Sequence, residues 1–567
     1  MKVIQGKLVS PGFADGRAVL FRDRWTVPAR ETVDDAETEV ARLQRALHAA
    51  RKDLEGVSSR VHSEFGAQEA EIFSSHLEIL NDPVLVDDIV ARIRADNFGA
   101  GRAIQASMTS FAERLAIVDD PYLREREQDI RDVGRRLLRH VNGHLNLCTA
   151  ELVEGTVIVA GELMPSDLVE LDYAKLVGVV PERGGAPSHV AILARSLGIP
   201  AITGIHDATR LITEGQRLLI DGSENALVIA PSYNRLETYR ARQREYLDFA
   251  DVVARDEHLP CQTRDGREIQ VLANMGRPNE AEFIASEQLA GVGLLRTEFL
   301  FLDHPRPPTV AQQMALYEEV AQRLGGRELV IRTLDLGGDK FPLFLEREFE
   351  NNPGMGVRGI RFSLSATRSL FRDQIRALLL VARRYPISIL LPMVVGVDDF
   401  EEAQAVMLEV AGEEGIDHLP PVGVLVETPA AVLMIDALAR RADFISIGTN
   451  DLAQFILAAD RNALETVDYY RAIHPSLLQA IQMVIDGTAA CGKPLTICGE
   501  LASMPDIAGI LVGMGVTRLS MSPVSSARVK HAIRHASYAQ LQQAAAAALA
   551  APTAAEVARA VQGIMPG

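Results

Sequence analysis

The chain is 567 residues long, 47% hydrophobic and 24% charged, which provides for roughly three or four domains of ~150 residues, or fewer if one is a large barrel. Its formal net charge of −18 argues against nucleic acid as a partner and requires a locally basic pocket for any anionic substrate. Cys148, Cys261, Cys491 and Cys498 lack CxxC spacing, the Met1–Lys7 stretch has no hydrophobic signal core, and no apolar run approaches the ~18–20 residues of a membrane span. The expectation is a cytoplasmic protein without a disulfide framework or a zinc site.

Residues 2–22 predict one or two short strands broken at Pro11-Gly12. From Thr32 to about Val141 the pattern turns helical. Val40, Leu43, Leu47, Leu54, Val57 and Val61 recur at steps that place them on one stripe of a long helix. Asn81-Asp-Pro83 and Asp119-Asp-Pro121 break the pattern, so residues 26–144 read as a bundle of about four or five helices, either solvated or serving as a docking platform. Strand signals return at Val157–Val159, Leu176–Val180, Pro200–Thr203, Arg217–Asp221 and Ala226–Ile229. Strands on both sides of the bundle predict one α/β domain made of 1–25 and 145–230, with the bundle inserted. Residues 231–260 are highly charged and periodic, as in a linker helix suited to a hinge.

Residues 261–567 alternate strand-like and helical runs. The strand-like runs are Ile269–Ala273, Gly293–Arg296, Leu329–Asp335, Gly359–Phe362, Ile387–Met393, Val422–Glu427, Phe444–Gly448 and Leu495–Cys498. This count matches a (β/α)8 TIM barrel. The whole chain is thus an α/β multidomain protein: an α/β domain with an inserted helical bundle, a linker helix and a C-terminal barrel. The Ala-rich stretch Ala544–Ala551 and the helix after it read as terminal packing.

Two places carry chemistry. In Glu182-Arg-Gly-Gly-Ala-Pro-Ser-His189, a strand runs into two glycines and then a helical pattern, which places His189 beside free N–H groups at a positive helix end, a natural site for phosphate. The plain alternative is a capped helix whose histidine packs. In a barrel, functional side chains project from the C-terminal strand ends. There the sequence has Arg296, Arg332 with Asp335, Arg358 and Arg361, Glu427, Asn450-Asp451 and Cys498, with Arg461 shortly after. Arginines converging on one mouth of an acidic protein call for a multiply anionic ligand. Glu427 and Asp451 are hard oxygen donors for Mg²⁺, or else simple partners for the arginines. Cys498 is either a buried apolar cysteine or an acid delivering a proton, and its place at a strand end favours the acid. Phosphoryl transfer by positioning and charge neutralisation follows.

Gly184-Gly-Ala-Pro-Ser-His-Val-Ala-Ile-Leu-Ala-Arg195, Leu294-Leu-Arg-Thr-Glu-Phe-Leu300, Arg332-Thr-Leu-Asp-Leu-Gly-Gly-Asp-Lys340, Val426-Glu-Thr-Pro-Ala430, Ile447-Gly-Thr-Asn-Asp-Leu452 and Cys498-Gly-Glu500 closely resemble Enzyme I of the bacterial phosphotransferase system, the phosphoenolpyruvate–protein phosphotransferases. The likeness runs along nearly the whole chain. It implies that phosphoenolpyruvate binds the barrel mouth through Mg²⁺ on Glu427 and Asp451, with Arg296, Arg332, Asn450, Asp451 and Arg461 around the substrate. It further implies that the ε nitrogen of His189 takes the phosphoryl group, that Cys498 protonates the enolate to pyruvate, and that the bundle docks the carrier HPr. Members of the family dimerise through the barrel. The chain departs from the family at Leu168, where a threonine is frequent, and at Pro187, which replaces the threonine usual before Ser-His. These departures bear on rate and on the histidine tautomer, for which Ser188 is a substitute hydroxyl. The rival pyruvate, phosphate dikinase needs a large ATP-binding domain ahead of the histidine, and the residues there read instead as a bundle. A purely regulatory phosphorelay would use the same first step. A non-catalytic scaffold would predict lost arginines or a missing Cys498.

Overall fold

The computed structural model describes the chain except residues 22–32, 34, 66, 117–120, 143–151, 162, 164–166, 169–170, 183–188, 223, 257, 277–283, 285–288, 303–305, 338–341, 343, 346–351, 366, 461–472 and 563–567. It divides into two units, Met1–Asp248 and Phe249–Gly567.

In the first unit, strands β1 (Lys2–Gln5), β2 (Lys7–Ser10), β3 (Phe13–Phe21), β4 (Thr156–Ala160), β5 (Leu176–Pro181), β6 (Ala201–Thr203), β7 (Arg217–Asp221) and β8 (Ala226–Ile229) form one sheet in the order β1-β8-β7-β3-β4-β5-β6-β2. The middle strands β3 to β6 run parallel, and antiparallel strands flank them. Thr-Val-Ile-Val-Ala of β4 is buried throughout, as a parallel strand covered on both faces must be. One face packs Val157, Val159, Leu218 and Ile220. The other shares a core with the chain that leaves the sheet between β3 and β4.

Among the described residues that excursion forms five helices: α1 (Ala36–Phe65), α2 (Ala67–Asn81), α3 (Pro83–Asp96), α4 (Ala100–Ala116) and α5 (Pro121–Asn142). The stripe expected on α1 is buried along its length, from Val40 through Leu43 and Leu54 to Val61. Its core continues into Ile158, Val179, Ala191 and Leu193. The break at 81–83 is a capped helix start: the Asp82 carboxylate accepts from Val84 N–H at 2.9 Å, and Pro83 opens α3. The helix His189–Ser196 follows β5, and Leu168 is fully buried in the same core. A further helix, Tyr233–Asp256, seats Leu236 and Tyr239 on Leu219 and Val228.

In the second unit, β9 (Gln270–Met275), β10 (Gly291–Leu295), β11 (Glu328–Arg332), β12 (Ile387–Leu391), β13 (Val422–Val426), β14 (Phe444–Gly448), β15 (Leu495–Cys498) and β16 (Arg518–Met521) close into a parallel barrel. One expected strand is corrected. Gly359 sits at φ +58°, and Ile360–Leu364 coils into a short helix that buries Ile360 and Phe362. The expected run, Gly359–Phe362, is too short for periodicity to separate strand from helix. The strand it displaces from the count is β16, whose Arg-Leu-Ser-Met carries a weak apolar signal. The barrel interior holds Leu294, Val330, Leu390, Leu425 and Cys498. The C-terminal helices Tyr538–Ala550 and Ala554–Gln562 bury Leu541, Ala545, Val557 and Val561 in the outer core.

Candidate active site

The ends of the barrel strands deliver their polar residues to one place. Arg296 follows β10, Arg332 ends β11, Glu427 follows β13, Asn450 and Asp451 begin the helix after β14, and Cys498 ends β15. Together with Asp335, Arg358, Gly448, Thr449 and Gly499 they line a solvent-open cleft of about 560 Å³ floored by Leu294 and Leu425. Arg361 does not line it. That side chain is exposed and donates to the carbonyls of Met355 and Gly356. Arg461 lies outside the described residues.

The cleft is tightly ion-paired. Arg332 reaches Glu298 at 2.8 Å and Asp335 at 3.1 Å. Arg358 reaches the same Asp335 at 3.0 Å and Asp451 at 3.4 Å. Burial works against the charge of Arg332, but Glu298, Asp335, Glu427 and Asp451 outweigh it and hold the guanidinium protonated. Arg358 is held in the same way, chiefly by Asp335 and Asp451 against burial. The Nε of Arg332 is buried without a hydrogen-bond partner, an orphan donor in a pocket lined by arginines.

The carboxylates differ in their surroundings. Glu427 accepts from Met393 N–H at 2.6 Å, and Met393 holds a left-handed φ of 55° just past β12. A bulky residue held there costs of order 1–3 kcal/mol, strain of the kind that collects at functional sites. Burial, then the like charges of Asp451 and Asp335, push the Glu427 carboxyl well above the usual carboxylate range. A cation between Glu427 and Asp451 would relieve that repulsion. Two hard carboxylates suit Mg²⁺, which completes its shell with water or substrate oxygens. No group of three or more His, Cys, Asp or Glu side chains with metal-binding geometry occurs among the described residues.

Cys498 is 1% exposed and its thiol points to the Gly293 carbonyl, Sγ to O 3.8 Å. Burial pushes the thiol up to about 12, only partly opposed by Ser446, Ser520, Arg296 and Arg332. It therefore stays a protonated acid at neutral pH. Gly499 beside it has φ +122°, and a Cβ there would lie 2.4 Å from Thr449 Oγ1, so the turn that presents Cys498 requires glycine.

Sequence reasoning missed the frame behind the arginines. Thr297 donates to the Arg332 carbonyl at 3.0 Å, Gln374 donates to Thr297 at 3.1 Å, and Leu334 N–H donates to Gln374 at 2.9 Å. A glutamine on the buried stripe of the helix Arg368–Ala382, beside Phe371 and Ile375, was the available signal. In the other unit, the helix of His189 begins at that residue, which places its backbone at the positive dipole end. The side chain of His189 lies outside the described residues.

Such a barrel mouth, with a separate histidine-bearing α/β unit, matches a class of phosphoryl-transfer proteins. Family models described as PEP-utilising enzyme match residues 5–126 (N-terminal), 152–225 (mobile domain) and 251–538 (PEP-binding domain). The chain is 36% identical to the phosphoenolpyruvate-protein phosphotransferase of Haemophilus influenzae, with 98% of each chain covered. It is 35% identical to that of Staphylococcus aureus over 98% of each, and 35% identical to that of Geobacillus stearothermophilus over 92% of this chain and 91% of the relative. A solved structure of an Enzyme I protein (nEIt) is 31% identical, covers 43% of this chain and 98% of its own, and has a TM-score of 0.37. The chain belongs to the phosphoenolpyruvate-protein phosphotransferase family, a family of transferases.

Proposed function

We propose that this enzyme takes the phosphoryl group of phosphoenolpyruvate onto His189 and passes it to the histidine of an HPr-type carrier, the first step of a sugar phosphotransferase system in the cytoplasm. The observation that carries the reading is the cleft itself: Arg296, Arg332 and Arg358 beside Glu427, Asp451 and a protonated Cys498. Arg296 and Arg332, with Arg461, hold the phosphate and carboxylate, and Asn450 orients them. Glu427 and Asp451 would hold Mg²⁺, which when bound would supply charge neutralisation for the transferring phosphoryl group. The Nε of His189 forms a bond to phosphorus while the bond from phosphorus to the enolate oxygen breaks. Cys498 gives its proton to the enolate carbon, which yields pyruvate and leaves a thiolate for solvent to reprotonate.

The helix Tyr233–Asp256 runs across the junction between the two units and serves as the hinge for the swing of His189 from barrel to bundle. Leu168 leaves the tautomer of His189 to Ser188. Dimerisation through the barrel is supported by Leu408, Leu433, Met434 and Met483, large apolar side chains exposed on neighbouring helices of that unit.

The test is labelling. Isotopically labelled phosphoenolpyruvate with Mg²⁺ should leave an acid-labile, base-stable label on the wild type and none on His189→Ala. Absence of label on folded wild-type protein would end this reading.

A further inference from the structure

Among the described residues, the cleft that must accept a multiply anionic substrate is lined by as many carboxylates as arginines: Asp335, Glu427 and Asp451, with Glu298 behind, against Arg296, Arg332 and Arg358. Glu427 and Asp451 have a use in holding a cation. Asp335 is left, an acid in an anion site, and its surroundings give its role. Its side chain is only 1% exposed, against 10% for Arg358 and 12% for Asp451, so it is seated deeper in the cleft wall than either. It contacts Arg332 Nη1 at 3.1 Å and Arg358 Nη2 at 3.0 Å, and so braces both guanidinium groups. Its own backbone N–H is anchored on Glu298, the same carboxylate that takes Arg332 Nη2. The contact of Arg358 with Asp335 is shorter and more buried than its contact with Asp451 at 3.4 Å.

We propose that Asp335 is a positioning residue for phosphoenolpyruvate, acting through Arg332 and Arg358. It keeps both forks seated on the wall of the cleft, and it retains Arg358 when Asp451 turns to its own ligand. Without it, the two arginines swing onto Glu427 and Asp451, and the same collapse removes the anion cradle and occupies the cation ligands. The proposal rests on the phosphoenolpyruvate reading above.

The alternative makes the opposite prediction in sign. If Asp335 merely offsets charge, removing it strengthens the attraction for a polyanion. Full-length wild type, Asp335→Asn and Asp335→Glu are titrated calorimetrically with phosphoenolpyruvate in EDTA, which reads the arginine cradle without a metal. KM and kcat for pyruvate formation are then measured with Mg²⁺. Misplacement of a binding group by about 1 Å costs up to ~100-fold. Asp335→Asn is therefore expected to weaken phosphoenolpyruvate by at least ~10-fold in EDTA and to raise KM by a larger factor than it lowers kcat. Asp335→Glu, which keeps the charge but reaches one methylene further, is expected to weaken it less, with a melting temperature close to wild type, and it decides the matter alone if the Asn variant does not fold. Combined with Arg358→Gln, Asp335→Asn should cost less than it does in the wild type, because part of its effect is already gone. Unchanged or tighter binding by Asp335→Asn, an unaffected Asp335→Glu where Asp335→Asn does not fold, or fully multiplicative effects would overturn the assignment. Failure of the wild type itself to bind or be labelled by phosphoenolpyruvate would instead refute the underlying reading.

Discussion

At the scale of single residues, Cys498 shows how environment fits a side chain for the role of proton donor proposed for it. An ordinary thiol near pKa ~8.5 would lose much of its proton by mildly alkaline pH. Burial inside the barrel end lifts this one to about 12, so the acid form persists far above neutrality. The sign follows directly: titration of Cys498 should cause no loss of pyruvate formation between about pH 7 and about pH 9. Cys498→Ala should slow pyruvate formation by ~100-fold or more, the usual worth of a positioned acid. A lactate dehydrogenase-coupled assay reads both. A loss of rate centred near ~8.5, present in the wild type and absent from the alanine variant, would show that the thiol titrates normally. The arginines teach the complementary lesson. Their convergence was legible at the strand ends, whereas Arg358 and Arg361, three residues apart, separated only in three dimensions. Gly359 turns the backbone at φ +58° between them, leaving Arg358 in the cleft and Arg361 on the surface.

At the scale of elements, the loops after the strands matter as much as the strands. Gly337 lies at φ +108°, and a Cβ there would sit 2.2 Å from the Val357 carbonyl and 2.8 Å from Arg358 Cα. The loop after β11 thus presses directly on the segment that presents Arg358. Gly337→Ala should displace that arginine as well as strain the backbone by of order 1–3 kcal/mol. The expected result is a raised KM for phosphoenolpyruvate together with a lowered melting temperature. A lower melting temperature with KM unchanged would show that the close approach is structural only. Long elements were the readable ones. The stripe on α1 and the apolar runs of β12 to β15 announced themselves, because many periodic positions report the same buried face. Short elements failed for the converse reason: Gly359–Phe362 read as a strand where the chain forms the helix Ile360–Leu364, and β16 was overlooked.

At the scale of the molecule, one unit carries a histidine-bearing α/β sheet with its bundle and the other a barrel with an arginine-lined mouth. No helix among the described residues is long and apolar enough to cross a membrane. The exposed Leu433, Met434 and Met483 on adjacent barrel helices make the oligomeric state the property to measure at this scale. Leu433→Glu should shift the protein toward monomer in sedimentation at micromolar concentration, since a buried unpaired charge is costly at an interface. An unshifted dimer would place the interface elsewhere, and a monomeric wild type would remove it.

The amino-acid sequence by itself determined the α/β multidomain class, the barrel, the bundle between β3 and β4 and the family, because long periodic segments and extended motifs are local properties of a chain. It also named the residues at the barrel mouth, since a strand end is a position along the sequence. Only the tertiary structure decided which of these residues touch. Asp335 beneath Arg358, Gln374 propping Thr297, and Met393 strained toward Glu427 are pairings across 23 to 77 residues of chain. Such contacts are set by barrel closure and packing, which leave no periodic trace in the sequence for a local reading to detect.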